Sequence, residues 1–265
     1  MTDTVLPLID IGANLTHESF QHDLDEVLTR AFENGVEQII VTGASAHGSL
    51  RAAELANRYP QLKATAGVHP HEASHYNTET GASLKQLAQD NVVVAMGECG
   101  LDFYRDFSPR DIQEKCFAAQ LEIACETQKP VFLHERDAHD RFTKILGEYF
   151  NDLPRVVVHC FTGTESQLDA YLEMGCYIGI TGWICDERRG THLRDFIGKI
   201  PGDRLMLETD SPYLLPRDLK PKPKSRRNEP HYLRHIADTV ATITGKPIAQ
   251  VAKETTKTAK LFFDL

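Results

Sequence analysis

The sequence predicts a (β/α)8 barrel, and two observations predict it. Eight short apolar runs rich in Val and Ile start 21 to 38 residues apart, separated by longer amphipathic or charged stretches, which is the rhythm of repeated βαβ units. Five of these runs carry His, Glu or Asp at or just beyond their C-terminal ends, as expected of a fold that gathers the C-terminal ends of its strands at one active face.

The runs are PLIDIG at 7–12, QIIVTG at 38–43, LKATAGV at 62–68, VVVAMGECG at 92–100, PVFLHE at 130–135, RVVVHCF at 155–161, CYIGITG at 176–182 and RLMLETD at 204–210. Near-continuous apolar strands alternating with helices imply a parallel sheet covered on both faces. Eight of them suit a closed barrel better than an open doubly wound sheet, which commonly has five or six. Among the intervening segments, 22–35 ends in Gly35, suited to the position after a helix, and 108–128 opens with Ser108 as expected N-cap and Pro109 in the first turn. After the eighth run come a Pro- and Lys-rich loop and two helical stretches, 230–244 and 247–263. No repeat, low-complexity tract or linker interrupts the pattern, so residues 1–265 are expected to form a single barrel domain.

Composition narrows the function classes. With 41% hydrophobic and 25% charged residues, the chain has the makings of a sizeable core. It contains no apolar stretch long enough to span a membrane, and Asp3 stands where a secretory signal would be basic. The expected address is the cytoplasm, with no membrane association and no obligate protein partner. The six cysteines form no CxxC pair and are expected to be reduced and mostly buried.

The polar strand ends supply the candidate chemistry. The third run leads to His69 and His71, the fourth to Glu98 and Asp102, the fifth to His134 and Arg136, the sixth to His159, the eighth to Glu208 and Asp210. An imidazole or carboxylate ending an apolar strand is costly to bury unless paired or metal-bound. The set Glu98, His134, His159 and Asp210 is therefore expected to bind a divalent metal; its nitrogen and oxygen donors suit Zn²⁺, Mn²⁺ or Fe²⁺, and Mg²⁺ if waters complete the shell. Asp210 is also a candidate base for water acidified by such an ion. Glu208 is taken as a site residue only if the strand end twists or bulges, so its role stays open. Neither Ser211 nor any cysteine has a convincing nucleophile–base arrangement.

The motifs GVHPH, GECGLDFYRDFS, PVFLHERDAHDRF, HCFTG, YIGITGW and ETDSPYLLPRDLKPKPKSRRNEP resemble, in order, those of the TatD-type metal-dependent deoxyribonucleases. The resemblance runs over residues 8–263 and is nearest the branch that gives the family its name. It implies an amidohydrolase-like barrel that hydrolyses phosphodiesters of DNA, and of RNA as well, as a 3′–5′ exonuclease acting on single-stranded ends with Mg²⁺, in a repair role. It maps the metal ligands onto Glu98, His134, His159 and Asp210, and ties His69 and Glu208 to activity or substrate phosphate. One departure stands out: where many relatives end the first strand in His-x-His, this chain has Gly12 and Asn14. Asn14 still offers an amide oxygen; Gly12 offers nothing. One firmly held cation, with a weaker second recruited near Asp210, is the expectation.

A net charge of −9 opposes binding of a polyanion unless positive charge is focused somewhere. Residues 217–227 focus it, with six basic groups and one acid. Pro221 and Pro223 are expected to hold the loop extended, so that Lys222, Lys224, Arg226 and Arg227 meet phosphates. His71 and Arg136 are further candidates for substrate contact, Arg188 and Arg189 further basic ones, and Trp183, Tyr104 and Phe103 could stack on a base. Base-specific readout motifs are absent from the sequence. Two rival functions are compatible with these residues: a hydrolase of small amides, lactones or phosphoesters on the same barrel, and a binding protein catalytically weakened by loss of its first His pair.

Overall fold

The computed structural model describes residues 6–265; Asp3, which bears on the expected address, lies outside them. The strands are β1 (Leu8–Ala13), β2 (Val36–Val41), β3 (Leu62–Ala66), β4 (Val93–Asp102), β5 (Val131–Arg136), β6 (Val156–Val158), β7 (Tyr177–Ile180) and β8 (Leu205–Leu207). They form one eight-stranded sheet in sequence order, and the helices α1 (Leu24–Glu33), α2 (Ala46–Arg58), α3 (Thr78–Leu87), α4 (Arg110–Thr127), α5 (His139–Tyr149), α6 (Glu165–Met174) and α7 (Thr191–Phe196) alternate with them. Helices α8 (Leu233–Thr244) and α9 (Ile248–Phe263) follow β8. The fold is the expected (β/α)8 barrel, and each of the eight apolar runs contributes a strand.

Strands β6 and β8 are only three residues long, so the polar ends of their runs lie just beyond them. Backbone pairing nonetheless holds those ends in line: His159 N donates to Leu133 O at 2.9 Å, and Glu208 N donates to Ile180 O at 3.1 Å.

The chain divides into two compact units, one comprising residues up to Ile40 with Cys160–Leu172 and Ile178–Leu265, the other Val41–His159 with Glu173–Tyr177. In the latter, β3 pairs with β4, β4 with β5 and β5 with β6, all parallel. The whole of β4 is buried. Two buried glutamines of α4 bind the ends of these strands: Gln120 Oε1 accepts from Val68 N at 2.7 Å, and Gln113 Oε1 accepts from Asp102 N at 2.8 Å. Burying an amide side chain is tolerable here because the backbone groups it meets would otherwise be unpaired. The start of α4 differs from expectation. Pro109 is the N-cap and makes no side-chain capping bond, while the Ser108 hydroxyl turns away to donate to His71 O and accept from Ser74 N. It thereby ties the turn after β3 to the turn after β4.

In the other unit, Ala13 bridges in parallel to Ser211, β7 pairs with β8, and α1 buries Val27, Leu28 and Ala31 on one face before ending at Gly35, φ 90°. All six cysteines are free; Cys99, Cys116, Cys176 and Cys185 are buried and Cys125 and Cys160 half-buried. Among the described residues no helix is long and apolar enough to cross a membrane.

Candidate metal centre and nucleic-acid interface

The ends of β3 to β6 assemble a cluster around one carboxylate oxygen. Glu98 Oε1 lies 2.8 Å from His159 Nε2, 3.1 Å from His134 Nδ1 and 3.4 Å from His69 Nε2. One ligand atom from each of His69, Glu98 and His134 falls within 4.8 Å of the others, a spread that one cation can draw together. Three of the four expected metal ligands, Glu98, His134 and His159, thus meet, and His69 joins them.

The electrostatics of the cluster follow from burial set against mutual attraction. Burial favours the neutral acid at Glu98, but the His159 and His69 rings and the hydrogen bond to His134 outweigh it and hold its pKa well below the usual carboxylate value. Burial pulls His134 down, yet hydrogen bonds to Asp102 and Glu98 leave its pKa raised. For His69 burial wins, and the pKa falls to about 3.

Hydrogen bonds also sort the imidazole nitrogens. His134 Nε2 faces Asp102 Oδ2 at 3.3 Å and Nδ1 faces Glu98 Oε1 at 3.1 Å, so the ring is oriented with Nδ1 towards the cluster, as a carboxylate-anchored metal ligand would be. His69 Nδ1 instead accepts from His71 N at 3.1 Å, so its Nε2 carries the proton and points inward as a donor. Asp102 stands out in the sequence as a polar residue ending β4, but with no role attached to it. It is 2% exposed, and burial would raise its pKa, but hydrogen bonds from His134 and His71 hold it far below the ordinary range. His71, expected to contact substrate, gives its Nε2 to Asp102 at 2.8 Å. Arg136 lies over the exposed Tyr104 ring, 4.3 Å from its centroid.

At the end of β8, Asp210 adopts φ 53°, a left-handed conformation that Asp tolerates better than most residues. The backbone there is held from β1: Asp210 N donates to Gly12 O at 2.8 Å, and Asn14 Nδ2 donates to Asp210 Oδ1 at 2.9 Å. The sequence suggests Asn14 for its amide oxygen; the structure turns its nitrogen to the carboxylate, because Asp210 is an acceptor within reach. Glu208 is fully buried and accepts from the Cys160 backbone N–H, with Cys160 itself at φ 45°.

Asp10, not singled out from the sequence, secures this arrangement. It is fully buried in β1 and accepts from Gly12 N, Thr209 N and the Thr209 hydroxyl at 3.3, 2.9 and 2.5 Å. Burial raises its pKa to about 8 in spite of these bonds. The unfolded chain releases this proton near 3.8, whereas the folded chain keeps it to about 8. Asp10 therefore contributes its full stability below 3.8, and that contribution declines as pH rises through the window to about 8. Asp10→Asn, a neutral isostere, should abolish the decline: urea denaturation across the window should show wild type losing up to about 1.4 kcal/mol per pH unit relative to the variant. A constant difference between the two proteins would remove the assigned protonation.

The basic loop departs from expectation in two respects. It is a succession of turns and bends rather than an extended arm, because both ends are tied down: Asp218 Oδ1 to His235 Nε2 at 2.7 Å, and Arg227 to Asp23 and Glu229 at 2.6 and 2.8 Å. Those same pairs correct the reading of Arg227. Its guanidinium is held by two carboxylates, its side chain is 20% exposed and its charge is already neutralised, so it anchors the loop rather than offering itself to phosphate. Lys222, Lys224 and Arg226 remain exposed.

A (β/α)8 barrel with imidazoles and carboxylates clustered at the C-terminal ends of its strands is the arrangement of a metal-dependent hydrolase. The sequence matches the TatD related DNase family over residues 9–264, and the chain belongs to that family and is a metal-dependent nuclease. It is 49% identical over 258 residues to the 3′-5′ ssDNA/RNA exonuclease TatD of Salmonella typhimurium, covering 97% of this chain and 99% of the relative. To the protein of the same description from Rahnella sp. it is 52% identical over 259 residues, covering 97% and 98%. Among solved structures, a TatD homologue from Escherichia coli K12 superposes with a TM-score of 0.90 at 29% identity, covering 98% and 99% of the two chains.

Proposed function

We propose that this chain trims single-stranded DNA and RNA from the 3′ end by Mg²⁺-dependent phosphodiester hydrolysis in the cytoplasm, a compartment that suits its six free cysteines. The observation that supports this reading best is the convergence of three ring nitrogens on Glu98 Oε1 within 3.4 Å: a buried, hard-and-borderline donor set of this kind fits a divalent cation. Polarity and strand type are those of the relatives at about half identity.

Glu98, His134 and His159 are the residues that would hold the ion. A divalent cation bound there supplies Lewis-acid polarisation of a phosphoryl oxygen and makes water a competent nucleophile near neutral pH. Asp102 holds the His134 ring with Nδ1 turned inward. Asp210, steadied by Asn14, takes the proton of the attacking water. His69 presents Nε2–H as a neutral donor to the transferring phosphate, and Glu208 positions the backbone at Cys160. Lys222, Lys224 and Arg226 draw the strand in through charge, and Arg136 with Tyr104 offers a second cationic contact. The test is release of 3′-terminal nucleotides from end-labelled single strands of DNA and RNA, with and without a chelator, beside a panel of small esters and amides. Mg²⁺-restored trimming of single strands is expected. Turnover of small esters with nucleic acid left intact would overturn the reading.

A further inference from the structure

A polar cleft of about 660 Å³ lies between the segment after β7 and the loop after β8, a volume within the range of small-ligand sites. Its walls present Trp183, Arg188, Arg189, Arg217, Lys222 and Arg226, with Asp186 as the lining carboxylate. Asp186 is 2% exposed yet serves three guanidiniums: Arg189 at 3.0 Å, Arg188 at 3.3 Å and Arg217 at 3.7 Å. Glu187, outside the lining, lies beside Arg217, also at 3.7 Å. Each of the three arginines is thus fixed at one end by a buried anion, while its side chain stays 43 to 55% exposed. In a protein of net charge −9, this concentrates preorganised cations around a cavity. Arg189 lies over the Trp183 ring, 4.2 Å from its centroid, adding a flat wall of the kind on which nucleobases stack. The opposite wall is held by the Asp218–His235 bond. Leu214, at the near edge of the cleft, is four residues along the same loop from Asp210, so their Cα atoms are at most about 14 Å apart.

From this geometry we infer that the cleft is a strand-holding subsite: it grips the nucleotides that follow the one being removed, with phosphates on Arg188, Arg217, Lys222 and Arg226 and a base against the Trp183–Arg189 wall. The subsite presupposes the nuclease reading above and adds where a long substrate is gripped and why length matters. A dinucleotide, held at the metal cluster alone, gains nothing from the cleft; a longer strand does.

Trp183 is the only tryptophan in the chain, so its emission reports on the cleft directly. A phosphorothioate-linked dodecathymidylate, titrated in Mg²⁺, should shift Trp183 emission with the same Kd as anisotropy of the labelled strand gives. Arg188→Gln combined with Arg217→Gln leaves Arg189 on Asp186. The double variant should bind the dodecamer about tenfold more weakly, and its log–log salt slope should fall by about 1.4, or about 0.7 for each phosphate no longer neutralised. Dinucleotide hydrolysis should be unchanged. Normal strand binding with static Trp183 emission, or an unaltered variant, would overturn the subsite while leaving the nuclease reading intact. An equal emission change with thymidine monophosphate alone would replace it by a mononucleotide site. Wild type that trims no strand at all would bring down the parent reading, and the subsite with it.

Discussion

Asp210→Asn should lower the rate of 3′-terminal nucleotide release about 10³-fold while leaving the fold intact. The carbonyl of the new amide can still accept from Asn14 Nδ2, which now reaches Asp210 Oδ1 at 2.9 Å, so the φ 53° turn at the end of β8 keeps its support. What disappears is the ability to take a proton, and positioned proton transfer contributes about 10²- to 10⁴-fold in enzymes. Single-turnover trimming of an end-labelled strand, with circular dichroism as a check on folding, makes the measurement. A residual rate within tenfold of wild type would mean that another group accepts the proton.

The second large effect is expected at Glu98. Its Oε1 is the common partner of three imidazoles, and its carboxylate stays ionised because those rings outweigh the burial penalty. Glu98→Gln removes the charge and one donor at almost constant volume. Altering even the outer hydrogen-bond partners of metal ligands costs about 10- to 100-fold in affinity; loss of a charged ligand should exceed that, so Mn²⁺ affinity by calorimetry should fall at least about 100-fold. Trimming at subsaturating metal should fall in parallel. Unchanged Mn²⁺ binding would relocate the metal site away from the His134–His159 cluster.

Much of this molecule is legible in its sequence because the relevant signals are local. Each of the eight apolar runs is one strand, since a strand buried on both faces must be apolar along its length. The polar residues that end those runs are therefore visible as exceptions, which is how Glu98, His134, His159 and Asp210 stand out without any coordinates. Asp10 and Asp102 are exceptions of the same kind, but their meaning depends on partners far away in the chain. Asp102 is interpretable only once His71 and His134 are seen to share it. Asp10 matters because Thr209, 199 residues on, turns both its N–H and its hydroxyl to it. Arg227 misleads for the converse reason: in sequence it belongs to a basic run, whereas in the fold it belongs to Asp23 and Glu229.

By itself the sequence determined the barrel, the order of its elements and the chemical types of the groups at the strand ends, because burial along a strand and turn chemistry act over a few neighbouring residues. Only the tertiary structure decided which nitrogen of His69 and of His134 faces inward, that Asn14 serves Asp210 through its amide nitrogen, and that the arginines around Asp186 wall a cleft. Those outcomes are choices among hydrogen-bond partners and neighbouring charges, and both depend on distances of a few ångströms between segments that the chain order leaves far apart.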